Sequence, residues 1–179
     1  MVREDITTSI GSSTGVADGV PLTVKLTIVD SKACAPMAGA AVYLWQVDAV
    51  GRYSMYSQGA SDQNYLRGVQ AAADNGTLQF QSIFPSAYDG RWPHIHFEIF
   101  KDIAAATATG SKVRTTQLAL PEDACKIVYA DTRYSASVAN MARTTLAGDN
   151  VVRDGTSLQM ATVTGDMTKG FVAELNVAI

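Results

Sequence analysis

Apolar and polar residues alternate from Leu22 to Val29, where Val24, Leu26 and Ile28 are interleaved with Lys25 and Thr27. A period of two puts every second side chain on one face of an extended segment, so this stretch predicts a half-buried strand. Segments rich in β-branched and aromatic residues follow at Ala41 to Val47, Thr77 to Phe84, Ile95 to Phe100, Thr116 to Leu120, Leu158 to Thr164 and Phe171 to Ile179. Separated by Gly, Asp, Asn and Pro, they predict an all-β chain, a β-sandwich of mainly antiparallel strands. Helical signals are few. Pro121 suits the first turn of a short helix over Glu122 to Ala130, and Tyr134 to Ala142 predicts another. Both read as connections. The turn-rich stretch from Gly51 to Asn75, which carries Tyr53, is long for a loop, and long ordered loops are often functional.

Composition narrows the reading. A chain of 179 residues, 47% apolar and 17% charged, has the balance of one globular domain. The formal charge of −3, with Lys and Arg scattered, excludes the basic stripe of a nucleic-acid binder. No apolar run is long enough to span a bilayer, and Met1 to Ser13 lacks the basic and apolar regions of a signal peptide. Cys34 and Cys125 are too far apart for metal-ligand spacing; they form either one long-loop disulfide or two buried core residues.

Both histidines of the chain lie in Trp92-Pro93-His94-Ile95-His96-Phe97. Residues two apart on a strand project from one face, so the two imidazoles reach one point while Ile95, Phe97 and Ile99 face the other way. This is metal-ligand geometry; the alternative is a pair of strand histidines on a polar surface. Tyr88 precedes the pair, and phenolate suits hard ferric iron better than zinc. As a plain core residue it would instead bury its ring and satisfy its hydroxyl.

These residues resemble the intradiol ring-cleavage dioxygenases, the family of the protocatechuate and catechol dioxygenases. The resemblance runs through Gly39-Ala40-Ala41-Val42-Tyr43-Leu44-Trp45-Gln46, Gly51-Arg52-Tyr53-Ser54, Tyr65-Leu66-Arg67-Gly68-Val69-Gln70, Pro85 to His96 and Thr116 to Pro121. It implies one catalytic domain over residues 1–179, with Fe(III) held by Tyr53, Tyr88, His94 and His96. It also implies an Arg91 that stabilises anionic intermediates, and a Gln117 near the same pocket. A catechol-type substrate would bind iron through both oxygens and displace Tyr88, while Tyr53 stays. Dioxygen then cleaves the ring to a cis,cis-muconate-type diacid. The resemblance also favours a Cys34–Cys125 disulfide.

The stretch between Tyr88 and His94 is shorter than in the protocatechuate enzymes, which implies a more open site. The chain has no counterpart of the N-terminal helical domain of cytoplasmic catechol dioxygenases and resembles compact exported bacterial members, so export is expected. Two rival readings are a non-catalytic sandwich that binds aromatic or carbohydrate ligands, and a zinc hydrolase using His94, His96 and Glu98 from one strand face. The second leaves Tyr53 and Tyr88 unexplained.

Overall fold

The alternation at Leu22 is realised as the middle of a sheet. Strand β1 (Pro21–Asp30) buries Leu22, Val24, Leu26 and Ile28 and leaves Lys25 outside. In the computed structural model, which describes residues 1–108, 110–152 and 155–179, β1 pairs antiparallel with β2 (Ala35–Pro36) and β5 (Thr77–Ile83). On its other side it pairs parallel with β9 (Gly170–Ala178), which carries β8 (Thr162–Asp166) antiparallel. The second sheet is antiparallel throughout, in the order β4 (Arg67–Ala71), β3 (Ala41–Trp45), β6 (His94–Phe100), β7 (Lys112–Ala119).

The sheets share one apolar cluster. Leu26, Phe80 and Phe171 come from the first, Val42, Leu44, Ile95, Phe97 and Leu118 from the second. Each such side chain contributes about 1.5–3 kcal/mol on burial, which makes the alternation of both sheets the main source of stability. The all-β sandwich expected from the pattern is what the chain forms.

Both open sides of the sandwich are closed by main-chain hydrogen bonds. On one side the N-terminal segment joins the two sheets: Arg3 N donates to Val69 O (3.0 Å) on β4, and Ile6 N to Gln81 O (2.9 Å) on β5. On the other, Ala119 N at the end of β7 donates to Gln159 O (2.8 Å), and Ala161 N returns to Ala119 O (2.9 Å). Edge groups that would otherwise invite another chain are thus used internally.

Four expectations change. The strand expected from Leu158 begins only at Thr162, because Gln159 N and Met160 N both donate to Thr156 O in a turn that leaves Leu158 exposed. The third strand stops at Trp45, and the Gly51 to Asn75 stretch contains β4. A short helix α1 (Ile103–Thr107), capped by the Asp102 side chain on Ala105 N, was not expected. Cys34 and Cys125 are both free. Cys34 is exposed in a turn, whereas Cys125 lies in α2 (Glu122–Val128) with its thiol in the core, where burial pushes its pKa up to about 12. After α2, the chain forms a 3-10 turn (Thr132–Tyr134) and α3 (Ser135–Ala142). Among the described residues no helix is long and apolar enough to cross a membrane.

Ile6 is fully buried between the two sheet edges it helps to join. Ile6→Ala should therefore cost about 2–5 kcal/mol in urea unfolding, the range of a core truncation. A loss under about 0.5 kcal/mol, typical of a surface change, would show that the segment is peripheral.

Candidate metal centre

The site begins with the two-residue period of β6. Ile95, Phe97 and Ile99 are fully buried in the core, so His94 and His96 emerge together on the outer face of the four-stranded sheet. Each ring is held. His94 Nδ1 donates to Trp92 O at 2.6 Å. The His96 ring lies flat against Trp45, its cross-strand partner on β3, with centroids 4.9 Å apart and planes 6° apart.

Tyr53 is delivered by the long loop between β3 and β4. Gly51 takes φ +87°, a conformation that favours glycine, and the turn closes by Gly51 N donating to Asp48 O. The Asp48 carboxylate is the hub of this turn. It accepts from Val50 N (3.0 Å), Arg52 N (2.9 Å), Arg52 Nε (2.9 Å) and Tyr65 OH (3.0 Å). Beyond Tyr53, the buried Arg67 guanidinium donates to Ser54 O through Nε (3.1 Å) and Nη2 (2.8 Å) and to Ser54 Oγ (3.0 Å). Tyr53 is thus gripped on both sides.

Tyr88 arrives on the segment between β5 and β6, which the C-terminal helices hold in place. Ala87 N donates to Ser137 Oγ (3.1 Å), Asn140 Nδ2 to Ala87 O (2.9 Å) and Tyr129 OH to Pro85 O (3.0 Å). The chain then turns through exposed Asp89 and Gly90 (φ +78°) to Arg91.

The four side chains close a ring. Tyr53 OH stands 3.3 Å from Tyr88 OH, Tyr88 OH 3.2 Å from His94 Nε2, His94 Nε2 2.9 Å from His96 Nε2, and His96 Nε2 3.0 Å from Tyr53 OH. All four expected ligands therefore meet at one point. Nitrogen and oxygen donors about 2.0–2.1 Å from one ion, at angles of about 90–110°, stand about 2.8–3.4 Å apart, which the ring matches.

Protons make the same point. Burial, reinforced by the neighbouring His96 and Arg91, lowers the His94 pKa to about 3; burial and the nearby Arg91 and Arg67 lower that of His96 to about 4. Both rings are neutral near pH 7. With Nδ1 of His94 donating to Trp92 O, its Nε2 presents a bare lone pair to the centre. The two hydroxyls and His96 then offer at most three protons for four contacts, so one contact sets lone pair against lone pair. A cation at the centre would resolve that deficit. Burial and the Tyr88 hydroxyl raise the Tyr53 pKa, so the phenol becomes a ligand only when a strongly polarising ion displaces its proton.

Arg91 flanks the ring and is fixed twice. Its Nε donates to Asp149 Oδ2 (2.9 Å) and its Nη2 to Gln117 Oε1 (2.7 Å). Gln117 pairs with His96 across β6 and β7 and is almost fully buried, and its Nε2 is buried without a partner among the described residues. Tyr43, Trp45, Tyr56, Arg67 and Glu98 complete a cleft of about 590 Å³ outside Tyr53, Tyr88, Arg91 and His96. Glu98 is engaged by Lys112 and Thr115, and among the described residues no three His, Cys, Asp or Glu side chains converge on a metal position. The zinc hydrolase reading fails here.

A family model described as Dioxygenase matches residues 4–167. The chain belongs to the intradiol ring-cleavage dioxygenases. An intradiol ring-cleavage dioxygenase from Tetranychus urticae superposes with a TM-score of 0.81 at 26% identity, over 100% of this chain and 86% of that one. The dioxygenase domain of a dioxygenase carbohydrate-binding protein fusion from Streptomyces sp. SirexAA-E shares the fold, with a TM-score of 0.64 at 24% identity over 99% and 87% of the two chains. A chlorocatechol 1,2-dioxygenase of Rhodococcus opacus is 37% identical over 54 residues, 30% of this chain but only 21% of that protein's length.

Within this dioxygenase fold, Asp48, Arg67 and Asp149 were not singled out by the sequence. Asp48 has a weak signal, an Asp three residues before Gly51, which is turn chemistry. Asp149 has none: nothing in Gly148-Asp149-Asn150 points to Arg91.

The histidine shifts carry a pH signature. Below about pH 6.5 the unfolded chain binds protons that His94 and His96 refuse in the fold, so stability of the metal-free protein falls as pH drops toward 4. Urea unfolding at pH 7.5, 6 and 5 should show that decline, and His94→Gln should flatten it. Stability that rises on acidification in this window would contradict the buried neutral pair.

Proposed function

We propose that Tyr53, Tyr88, His94 and His96 hold a ferric ion, and that the protein cleaves the ring of a catechol-type substrate with dioxygen to give a cis,cis-muconate-type diacid. The observation that carries this reading is the closed ring of two phenol oxygens and two imidazole nitrogens, short of protons and set beside an aromatic cleft. When bound, the ion supplies Lewis acidity and fixes the orientation of the two diol oxygens.

The chain's own residues divide the remaining work. Tyr53 is anchored through Asp48 on one side and Arg67 on the other, which suits a permanent ligand. Tyr88 is followed by exposed Asp89 and Gly90, and its hydroxyl touches only Tyr53 and His94 among the described residues. Bound as a phenolate, it would be the ligand that leaves, taking up a proton from the incoming diol as it does so. Tyr43, Trp45 and His96 stack ring on ring along the side of the cleft and give it an aromatic lining suited to an aromatic substrate. The Arg91 guanidinium, held in one orientation, stabilises negative charge as it develops on the substrate.

Protein prepared in iron-replete medium should be visibly red to purple from phenolate bound to ferric iron, and should consume oxygen when given catechols. Tyr53→Phe should bleach much of that colour while Tyr88→Phe retains more of it. A colourless, iron-free wild type under these conditions would end the dioxygenase reading. Arg91→Gln should keep colour and iron content while lowering kcat by about 10²-fold, the scale of one lost oxyanion donor.

A further inference from the structure

Asp149 is a fully buried carboxylate in a turn-rich segment far along the chain from Arg91. Burial alone disfavours such a charge, so each of its lone pairs calls for a donor. It finds three: Arg91 Nε at 2.9 Å and Trp92 N at 2.7 Å on Oδ2, and Val151 N at 2.8 Å on Oδ1. Its acceptors are committed to the segment between Tyr88 and His94 and to its own turn.

Two routes lead from Asp149 to the site. One runs through the guanidinium: Asp149 holds Nε and Gln117 holds Nη2, so two contacts fix the plane of a side chain that is otherwise long and flexible. The other runs through the main chain, since Trp92 N binds Asp149 and Trp92 O accepts from the His94 ring. The backbone contact has support besides Asp149: Trp92 Nε1 donates to Leu120 O (2.8 Å) and Leu120 N to Pro93 O (3.0 Å). The charged contact has Gln117 alone beside it. The Arg91 orientation is therefore the feature that depends most on Asp149.

We propose that Asp149 is a positioning residue for turnover: it clamps Arg91 in the orientation that faces the reacting substrate, and acts through that guanidinium rather than through metal binding. This rests on the dioxygenase reading of the site. Preorganised charge spares reorientation at the moment of reaction, so losing the clamp lowers the rate without an equal loss of substrate affinity.

Asp149→Asn keeps the volume and one acceptor, and is the variant to make first in the iron-loaded enzyme; Asp149→Ala follows. Expected results are a kcat lowered by about tenfold or more, a KM within about threefold of wild type, and unchanged iron content and visible band. Anaerobic titration with 4-nitrocatechol should give nearly the wild-type dissociation constant. In an Arg91→Gln background, Asp149→Asn should add almost nothing, because two residues acting through one group are not additive. Losses that multiply in the double variant, or loss of iron and colour in Asp149→Asn, would overturn the proposal; the latter would show that Asp149 works through His94. Hydrogen exchange of arginine Nε–H groups in the metal-free protein reads the clamp without turnover. One slowly exchanging Nε–H should be lost in both Asp149→Ala and Arg91→Gln; retention in Asp149→Ala overturns the clamp. If that loss is seen but the iron-loaded wild type consumes no oxygen with catechols, the clamp stands and the dioxygenase reading falls.

Discussion

A strand can aim two imidazoles at one point only if the residue between them is committed to the opposite face. Ile95 supplies that commitment, packed at zero exposure in the core shared by both sheets, and Phe97 repeats it on the far side of His96. The register then follows, because a slip of one residue would put both imidazoles into the core and expose three large apolar side chains. At about 1.5–3 kcal/mol for each of those side chains, burial sets the direction of the histidines more firmly than any contact they make themselves. The convergence of the two imidazoles is in this sense a by-product of core packing.

The two tyrosines lack such support, since both come from connecting segments. Each segment is stiffened by buried polar chemistry instead. Asp48 gathers main-chain and side-chain donors around the turn before Tyr53, and Arg67 fastens the residue after it. Asp149 does comparable work beyond Tyr88, at Arg91 and Trp92. Its carboxyl lies below the usual range: burial pushes its pKa up, but the Trp92 and Val151 amides and Arg91 together outweigh that push. Buried carboxylates of this kind contribute geometry more than net stability, because desolvation cancels much of the attraction.

Legibility in the sequence follows this division. His94 and His96 were readable because a period of two is a geometric statement that needs no tertiary information. Tyr88 stands out through the donor chemistry that a ferric ion would require, whereas Tyr53 rests on family resemblance because its loop has no period. Strand β4 went unseen inside the same loop, since Arg67-Gly68 opens it and Gly is a poor strand former, yet cross-strand pairing with β3 fixes it. Leu158 to Thr164 has strand composition along its whole length, but main-chain bonds to Thr156 O claim its first half for a turn. The two cysteines leave a disulfide open and the resemblance favours it, but Cys125 packs into the core while Cys34 is exposed, and both are free.

Closure of the sandwich bears on where this site can vary. The N-terminal segment and the Ala119–Met160 bridge tie the two sheets together at both edges, so the strands behind His94 and His96 are held in a nearly continuous hydrogen-bonded frame. Shifting one strand would break contacts in both sheets at once. The cleft, by contrast, lies outside β3 and β6, bounded by the loop around Tyr56 and the turn before Arg91, and none of the described residues lining it comes from the opposite sheet. Tyr56 is three-quarters exposed and covers the Arg67 guanidinium at 4.9 Å. A change in that loop alters the shape of the cleft while His94, His96 and their supporting strand stay where the core puts them. The histidine positions and the shape of the cleft are therefore set separately in this fold, the first by the sheets and the second by the two loops that also carry Tyr53 and Tyr88.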